Sequence, residues 1–503
     1  MFKDHPKGLY VLFFTEMWER FGFYTVLSIF VLYLAQNFHW SEATIGNIYG
    51  LFLAAVFFLP LFGGWIADNV LGYGRTILLG AFTSAVGYTL LAIPTKSPVL
   101  LFTSLIVISM GNGLFKANTY VIVGNLYPEA SGSLKDAAFN IFYMGINLGA
   151  FLAPLAASSI KDFMMSEYHM SLVHAYNAAF GASAVGMLIA ITIFTSFRKY
   201  YKMADYRSKD RTKGEGDAKP LTKAEEKERI TSLLIIFAVV IFFWMAYYQN
   251  GYTLTFFAKN YTMAAVDRFT YLLFDPLSLI SVLTLLLGLS AVIRKASTQK
   301  SRMTGGLFSL AALTVMIYKV GSFAPANPIS PESFQAFNPL FIIFLTPIVV
   351  AMFGYMNRKK IEPSSPEKMG LGMVAESLSF IIMIFAAIGL PAIAIASTSL
   401  YSHVTPYWLI SSYFMITVAE LLLSPMGLSF VSKVAPERMK GAMMGAWFAA
   451  QAIGSYLSGF VGRFYAEWQL WQFFLLFVCT SLVGGAVIFM FMKRLKKVSA
   501  AVS

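Results

Sequence analysis

Glu16-Met17-Trp18-Glu19-Arg20-Phe21 sits inside a run that is otherwise apolar: Leu12, Phe13 and Phe14 precede it, and Phe23, Val26, Leu27, Ile29 and Phe30 follow. A run of this length reads as a membrane-spanning helix. Three ionisable groups in one such helix cost about 2.5–3.5 kcal/mol each on insertion scales. A chain carries that cost where the groups face a bundle interior or a water-filled cavity and pair there. Glu16 and Glu19 stand three residues apart and Glu16 and Arg20 four apart, so all three share one helical face. One guanidinium cannot neutralise two carboxylates, which leaves one of them in need of another cation or a proton. That is the chemistry of a proton site.

Outward from this stretch, the 503 residues are 57% hydrophobic and 16% aromatic, with a mean hydropathy of +0.66. Such a composition excludes an ordinary soluble domain and reads as an all-α polytopic membrane protein. The single cysteine, Cys479, excludes an intramolecular disulfide and a cysteine metal cluster. The first apolar run is long enough to span and is expected to stay as a helix rather than be cleaved. Fourteen spans are expected, at about 9–35, 45–67, 75–94, 98–121, 137–159, 174–197, 231–258, 272–293, 304–324, 337–357, 370–397, 405–431, 441–462 and 470–492.

The net charge of +13 could point to nucleic acid, but its placement points to a lipid bilayer. Thirty of the 38 Lys and Arg residues fall in loops on one side of the spans, among them Lys3, Lys7, Arg75, the 198–229 stretch and 493–497. Five fall on the other side (Lys96, Lys161, Lys259, Arg268 and Arg463), and Arg20, Lys116 and Lys319 lie inside spans. This asymmetry predicts that both termini are cytoplasmic and explains the basic pI as topology.

The long polar stretch 198–230 divides the chain into an N-terminal six-helix lobe at 1–197 and a C-terminal lobe at 231–503, joined by a cytoplasmic linker. The runs 272–293 and 304–324 are expected to form a peripheral hairpin at about 271–324, outside the pore. Asp275-Pro276 would supply its N-cap and first turn. At the second turn, Gly63-Gly64-Trp65-Ile66-Ala67-Asp68 leads to Gly72-Tyr73-Gly74-Arg75. Small residues there let helix ends approach, and Asp68 and Arg75 read as a charged latch at the cytoplasmic mouth. The plainer alternative is an Asp-capped turn followed by an inside-positive Arg.

Lys116 lies deep in its span, where snorkelling would be strained. Glu420 lies in the apolar run closed by Ser424-Pro425. Coming from opposite lobes, the two read as an ion pair near the midplane that opens and closes with protonation. Tyr143 and Asn147 stand in a glycine-rich span, and Trp244 in an aromatic stripe. Their plainer readings are tight helix packing and an interface belt. Lys319 is expected to snorkel at the outer end. Glu376 carries only a weak case for function. The five histidines flank helices, and no phosphate loop, metal spacing or catalytic constellation occurs.

Together these residues resemble the proton-dependent oligopeptide transporter (POT/PTR) family of the major facilitator superfamily, over nearly the whole chain. The matching pieces are Glu16-x-x-Glu19-Arg20-Phe21 with Tyr24, the Gly-Gly-Trp-Ile-Ala-Asp turn and Phe115-Lys116-x-Asn118. Phe142-Tyr143 with Asn147, Phe243-Trp244 with Gln249, and Asn338-Pro339 follow. Glu420 with Ser424-Pro425 and Trp447-Phe448 complete the set. The resemblance implies a major facilitator fold of two six-helix lobes, here with two extra transmembrane helices. It implies import of di- and tripeptides by alternating access, with protons as coupling ion and no other cofactor. A monomer in a bacterial plasma membrane is expected. Glu16, Glu19, Arg20, Lys116 and Glu420 would couple protons. Tyr24, Lys116, Tyr143, Asn147, Trp244, Asn338, Glu420, Ser424 and Trp447 would contact the ligand.

Four positions depart from the family pattern. Leu27 stands where an arginine is usual and Tyr248 where a glutamate is usual, and Phe23 and Phe57 replace tyrosines. Losing both members of an expected ion pair keeps the charge balance, whereas losing one would strand the other. The departures favour smaller or more apolar ligands. They leave open a related carrier of another small solute. A non-transporting nutrient sensor is the third reading, against which five costly intramembrane charges argue. An enzyme is not expected.

Overall fold

The computed structural model describes residues 5–127, 132–205, 222–293, 298–393, 401–436 and 439–500. Parts of the expected linker (206–221), of the hairpin tip (294–297) and of the eleventh span (394–397) lie outside the described residues. The first lobe consists of α1 (Lys7–Phe38), α2 (Glu42–Phe58), α3 (Tyr73–Ala92), α4 (Pro98–Asn125), α5 (Gly132–Glu167) and α6 (Leu172–Ser196). A short helix, Pro60–Ile66, and a π turn, Ala67–Leu71, carry α2 to its end. The second half opens with α7 (Lys223–Tyr247), continued by Thr253–Tyr261. A hairpin of α8 (Pro276–Ile293) and α9 (Gln299–Ser322) comes next. Then follow α10 (Phe337–Arg358), α11 (Ser365–Ala387), α12 (Tyr407–Val434), α13 (Lys440–Gly462) and α14 (Leu470–Met490). Thirteen helices among the described residues are long and apolar enough to cross a membrane. Only α13 falls outside that set, diluted by Gln451, Ser455 and Ser458 along its length.

Most helices overrun the ends that hydropathy suggests. Hydropathy senses the part that lies in oil, whereas a helix runs on to its cap. Thr222 and Glu225 form a capping box, so α7 starts at Lys223, inside the stretch expected to be linker. At the other extreme, α1 stops at His39, which takes up the left-handed conformation at φ 53°.

Within the first lobe α1 packs on α5 and α6, and α3 on α4 and α6. In the second, α11 packs on α12 and α14, and α7 on α13 and α14. The lobes meet along α2 with α13 and along α5 with α10. A Cβ at Gly50 of α2 would lie 2.8 Å from Tyr456 O of α13, so the close crossing of these helices requires glycine there.

Polar contacts between the lobes gather at the end away from the termini. Lys161 Nζ of α5 lies 2.6 Å from Glu332 Oε1 and 2.9 Å from Ser330 Oγ, just ahead of α10. Both charged groups are buried. Gln335 Nε2 donates to Ser28 O at 3.1 Å, and Tyr252 OH donates to Glu42 O. At the opposite end, Lys496–Glu367 and Lys497–Glu228 pair within one lobe. Lys368 also donates there to Glu362 and holds that loop carboxyl below the usual carboxylate range.

The hairpin α8–α9 packs mainly on itself. Asp275 Oδ2 caps α8 by accepting from Ser278 N at 2.8 Å. Lys319, expected to snorkel at the outer end, places its Nζ 2.9 Å from Asp275 Oδ1 at the head of α8. A two-residue antiparallel ladder, β1 (Ala265–Val266) with β2 (Asn327–Pro328), ties the segments that flank the hairpin.

Candidate functional site

Where the lobes part, a central cavity of about 160 Å³ is lined from both sides. Glu16, Arg20 and Tyr24 reach it from α1, Lys116 from α4, and Tyr143 and Asn147 from α5. Trp244 of α7, Asn338 of α10 and Glu420 of α12 face them. Nine of the expected site residues therefore share one chamber. No residue of α8 or α9 is among its described lining residues.

The stripe on α1 resolves into two unequal carboxylates. Arg20 donates to both oxygens of Glu19, through Nε to Oε2 and through a terminal nitrogen to Oε1 at 2.7 Å. Asn112 Nδ2 adds a third donor to Glu19 Oε1 at 3.2 Å. Glu19 is thus fully engaged behind the cavity wall. Glu16 faces the cavity with much less support. Its Oε2 accepts from Thr119 Oγ1 at 3.1 Å, while Oε1 lies 3.6 Å from Arg20 Nε with no hydrogen-bond partner. All three groups are buried. Arg20 spends its guanidinium fork on its chain neighbour Glu19, and a fork can lie flat against only one carboxylate, which leaves Glu16, four residues back, at 3.6 Å.

The expected Lys116–Glu420 ion pair is absent in this conformation. Lys116 Nζ rests over the Phe57 ring, 4.3 Å from its centroid, and no ion pair of Lys116 occurs among the described residues. Glu420 Oε2 accepts from Tyr247 OH and from Asn338 Nδ2, each at 3.0 Å. Asn338 Nδ2 is braced in turn by Thr417 Oγ1 at 3.1 Å. Each charge sits on neutral groups on its own side of the chamber. Both charges are legible residue by residue, but their separation is not, since it depends on how the lobes are set.

The latch expected from Asp68 and Arg75 is not formed either. Asp68 Oδ1 accepts from Tyr73 OH, while Arg75 is exposed. Gly72, at φ 82°, turns the chain so that Tyr73 folds back over the carboxylate. Ser424 and Trp447 lie off the described cavity wall. Ser424 Oγ is buried without a partner, and Trp447 fills the space over Gly427, where a Cβ would collide with its ring. Tyr247, Tyr413 and Gln451, which sequence reading passed over, do line the cavity. Their signal was hidden among the many other aromatics and polar residues of the spans.

A two-lobed helical bundle, closed at one end around a buried chamber with a proton-type carboxylate cluster, is the architecture of a secondary transporter. The chain belongs to the POT family. The POT family (PTR2) model matches residues 74–214 and 301–473. The chain is 31% identical over 490 residues to the "Uncharacterized transporter YclF" of Bacillus subtilis, spanning 91% of this chain and 88% of that one. It is 30% identical over 475 residues to the "Dipeptide and tripeptide permease B" of Xenorhabdus bovienii, spanning 91% and 87%. Among solved structures, a peptide transporter POT in complex with sulfate superposes with a TM-score of 0.75 at 27% identity, covering 99% of this chain and 96% of that one. A POT family transporter in complex with 5-aminolevulinic acid shares the fold, with a TM-score of 0.76 at 22% identity. The protein is a multi-pass membrane transporter of major facilitator type.

Proposed function

We propose that this carrier imports di- and tripeptides by proton symport with alternating access. The observation that carries the reading is the placement of Lys116 and Glu420 on opposite walls of one cavity, unpaired with each other. A peptide offers the complement: its carboxylate to Lys116 and its ammonium to Glu420. Binding would draw the lobes together around the ligand. Glu16, the less engaged carboxylate, is the proton acceptor, and Glu19 holds Arg20 in place. The Lys161–Glu332 pair closes the outer end, and its separation accompanies outward opening.

The end bearing both termini is assigned to the cytoplasm on the loop asymmetry of Lys and Arg, and the membrane to the bacterial plasma membrane on the bacterial relatives. The monomer is the transport unit, since one chain supplies both walls of the chamber. The test is uptake of labelled dialanine into proteoliposomes with an inward proton gradient. Accumulation is expected. In Lys116→Ala it should fall at least about 30-fold, the effect of removing a charge-assisted partner from a buried ligand carboxylate. Unchanged accumulation in that variant would contradict the assignment.

A further inference from the structure

A path of aromatic contacts joins the two cavity charges. Lys116 Nζ sits over Phe57. The Phe57 and Tyr248 rings lie 5.6 Å apart, and Tyr248 stacks on Trp244 at 5.5 Å. Trp244 meets Tyr247 edge-on at 5.0 Å, and the Tyr247 hydroxyl reaches Glu420. Resting on the peptide-carrier reading, we propose that this wall makes the transporter select against peptides with acidic side chains. Phe57, Trp244 and Tyr248 are its specificity-determining residues.

The charges around the cavity leave no cation for a second carboxylate on the ligand. Its charged lining residues, among those described, are Glu16, Arg20, Lys116 and Glu420. Arg20 is committed to Glu19 and Glu16. Lys116 is therefore the one cation free for a ligand, and the terminal carboxylate takes it. An acidic side chain would then lie against ring faces, which carry the negative side of the aromatic quadrupole. A basic side chain meets the same faces favourably, so the penalty falls on acids first. Leu27 and Leu53 also line the cavity and offer no polar contact. The hydroxyl of Tyr248 accepts from Gln451 Nε2 at 2.9 Å, which ties it to the wall.

A second observation concerns Trp244. Its indole N–H is buried without an acceptor, on a residue that lines the cavity. Buried donors are seldom left so. A peptide carbonyl lying along the wall between the two charges would supply the missing acceptor.

The test compares two isosteric competitors, Ala-Gln and Ala-Glu, against labelled dialanine uptake by the full-length protein in proteoliposomes near neutral pH. Ala-Glu is expected to inhibit at least about tenfold more weakly than Ala-Gln, the effect of an unpaired desolvated charge. Leu27→Arg, which adds a cation to the wall, should bring the ratio to within about threefold. Trp244→Phe keeps an aromatic face, smaller than the indole, and removes the donor. It should weaken both competitors about three- to tenfold and leave their ratio unchanged. Equal inhibition by Ala-Gln and Ala-Glu in the unmodified protein would overturn the selectivity while leaving the carrier reading intact. Absence of dialanine uptake would overturn the carrier reading itself, and this inference with it.

Discussion

Glu420 and Glu376 are both carboxyls buried in the second lobe, on the neighbouring helices α12 and α11, and both are held by neutral donors. Glu420 accepts from Tyr247 and Asn338 and faces the cavity. Glu376 accepts from Ser481 Oγ at 2.8 Å, leaves Oε1 without a partner, and faces α14 within the bundle. No ion pair reaches either among the described residues. Burial and neutral partners are therefore not enough to mark a functional carboxyl. What separates the two is access to a space that a ligand can enter and to a charge on the opposite lobe.

That contrast can be broken most directly at Glu420. Glu420→Gln keeps the shape and the bonds from Tyr247 and Asn338 but removes the charge for a ligand ammonium. Dialanine uptake is expected to fall about 30-fold or more, measured as initial rate in proteoliposomes. The cross-lobe seam comes next, and it is read in conformational population rather than in uptake rate. Lys161→Met strands Glu332 in a buried site, a disruption of about 3–5 kcal/mol when one partner of a buried pair is removed. Because the pair joins the two lobes at that end, the variant should shift the population toward the open end. Increased labelling of a cysteine introduced at Ser330 would report the shift. Lys161→Met with Glu332→Gln together should restore much of the closed population. Glu376→Gln should have the smallest effect, within about twofold in uptake rate and about 1 kcal/mol in stability, since an amide can still accept from Ser481. Loss of transport in Glu376→Gln would erase the distinction drawn above.

Much of the fold could be read from residue order. Thirteen of the fourteen spans are helices long and apolar enough to cross a membrane, as apolar run length suggests, and the α1 stripe follows from i, i+3 and i+4 spacing. The start of α8 follows from Asp275-Pro276. Each is a local property. The failures are non-local. Asp68 turned to Tyr73 rather than Arg75 because of the backbone turn at Gly72. Lys116 and Glu420 face one chamber but stand apart, because their separation depends on lobe arrangement. Ser424 and Trp447 share the helices of true wall residues yet point into packing. Tyr247 and Gln451 are not distinguishable by type from their neighbours; only the packing of α7 and α13 brings them to the cavity.

In the proposed cycle Glu16 takes the driving proton, while Glu19 stays locked to Arg20. That assignment is tested most directly by separating exchange from uphill accumulation in Glu16→Gln. Proteoliposomes carrying that variant should still exchange labelled dialanine for unlabelled dialanine across the membrane. They should fail to accumulate it against a concentration gradient when an inward proton gradient is imposed. Proton-driven accumulation equal to that of the unmodified protein would contradict the account.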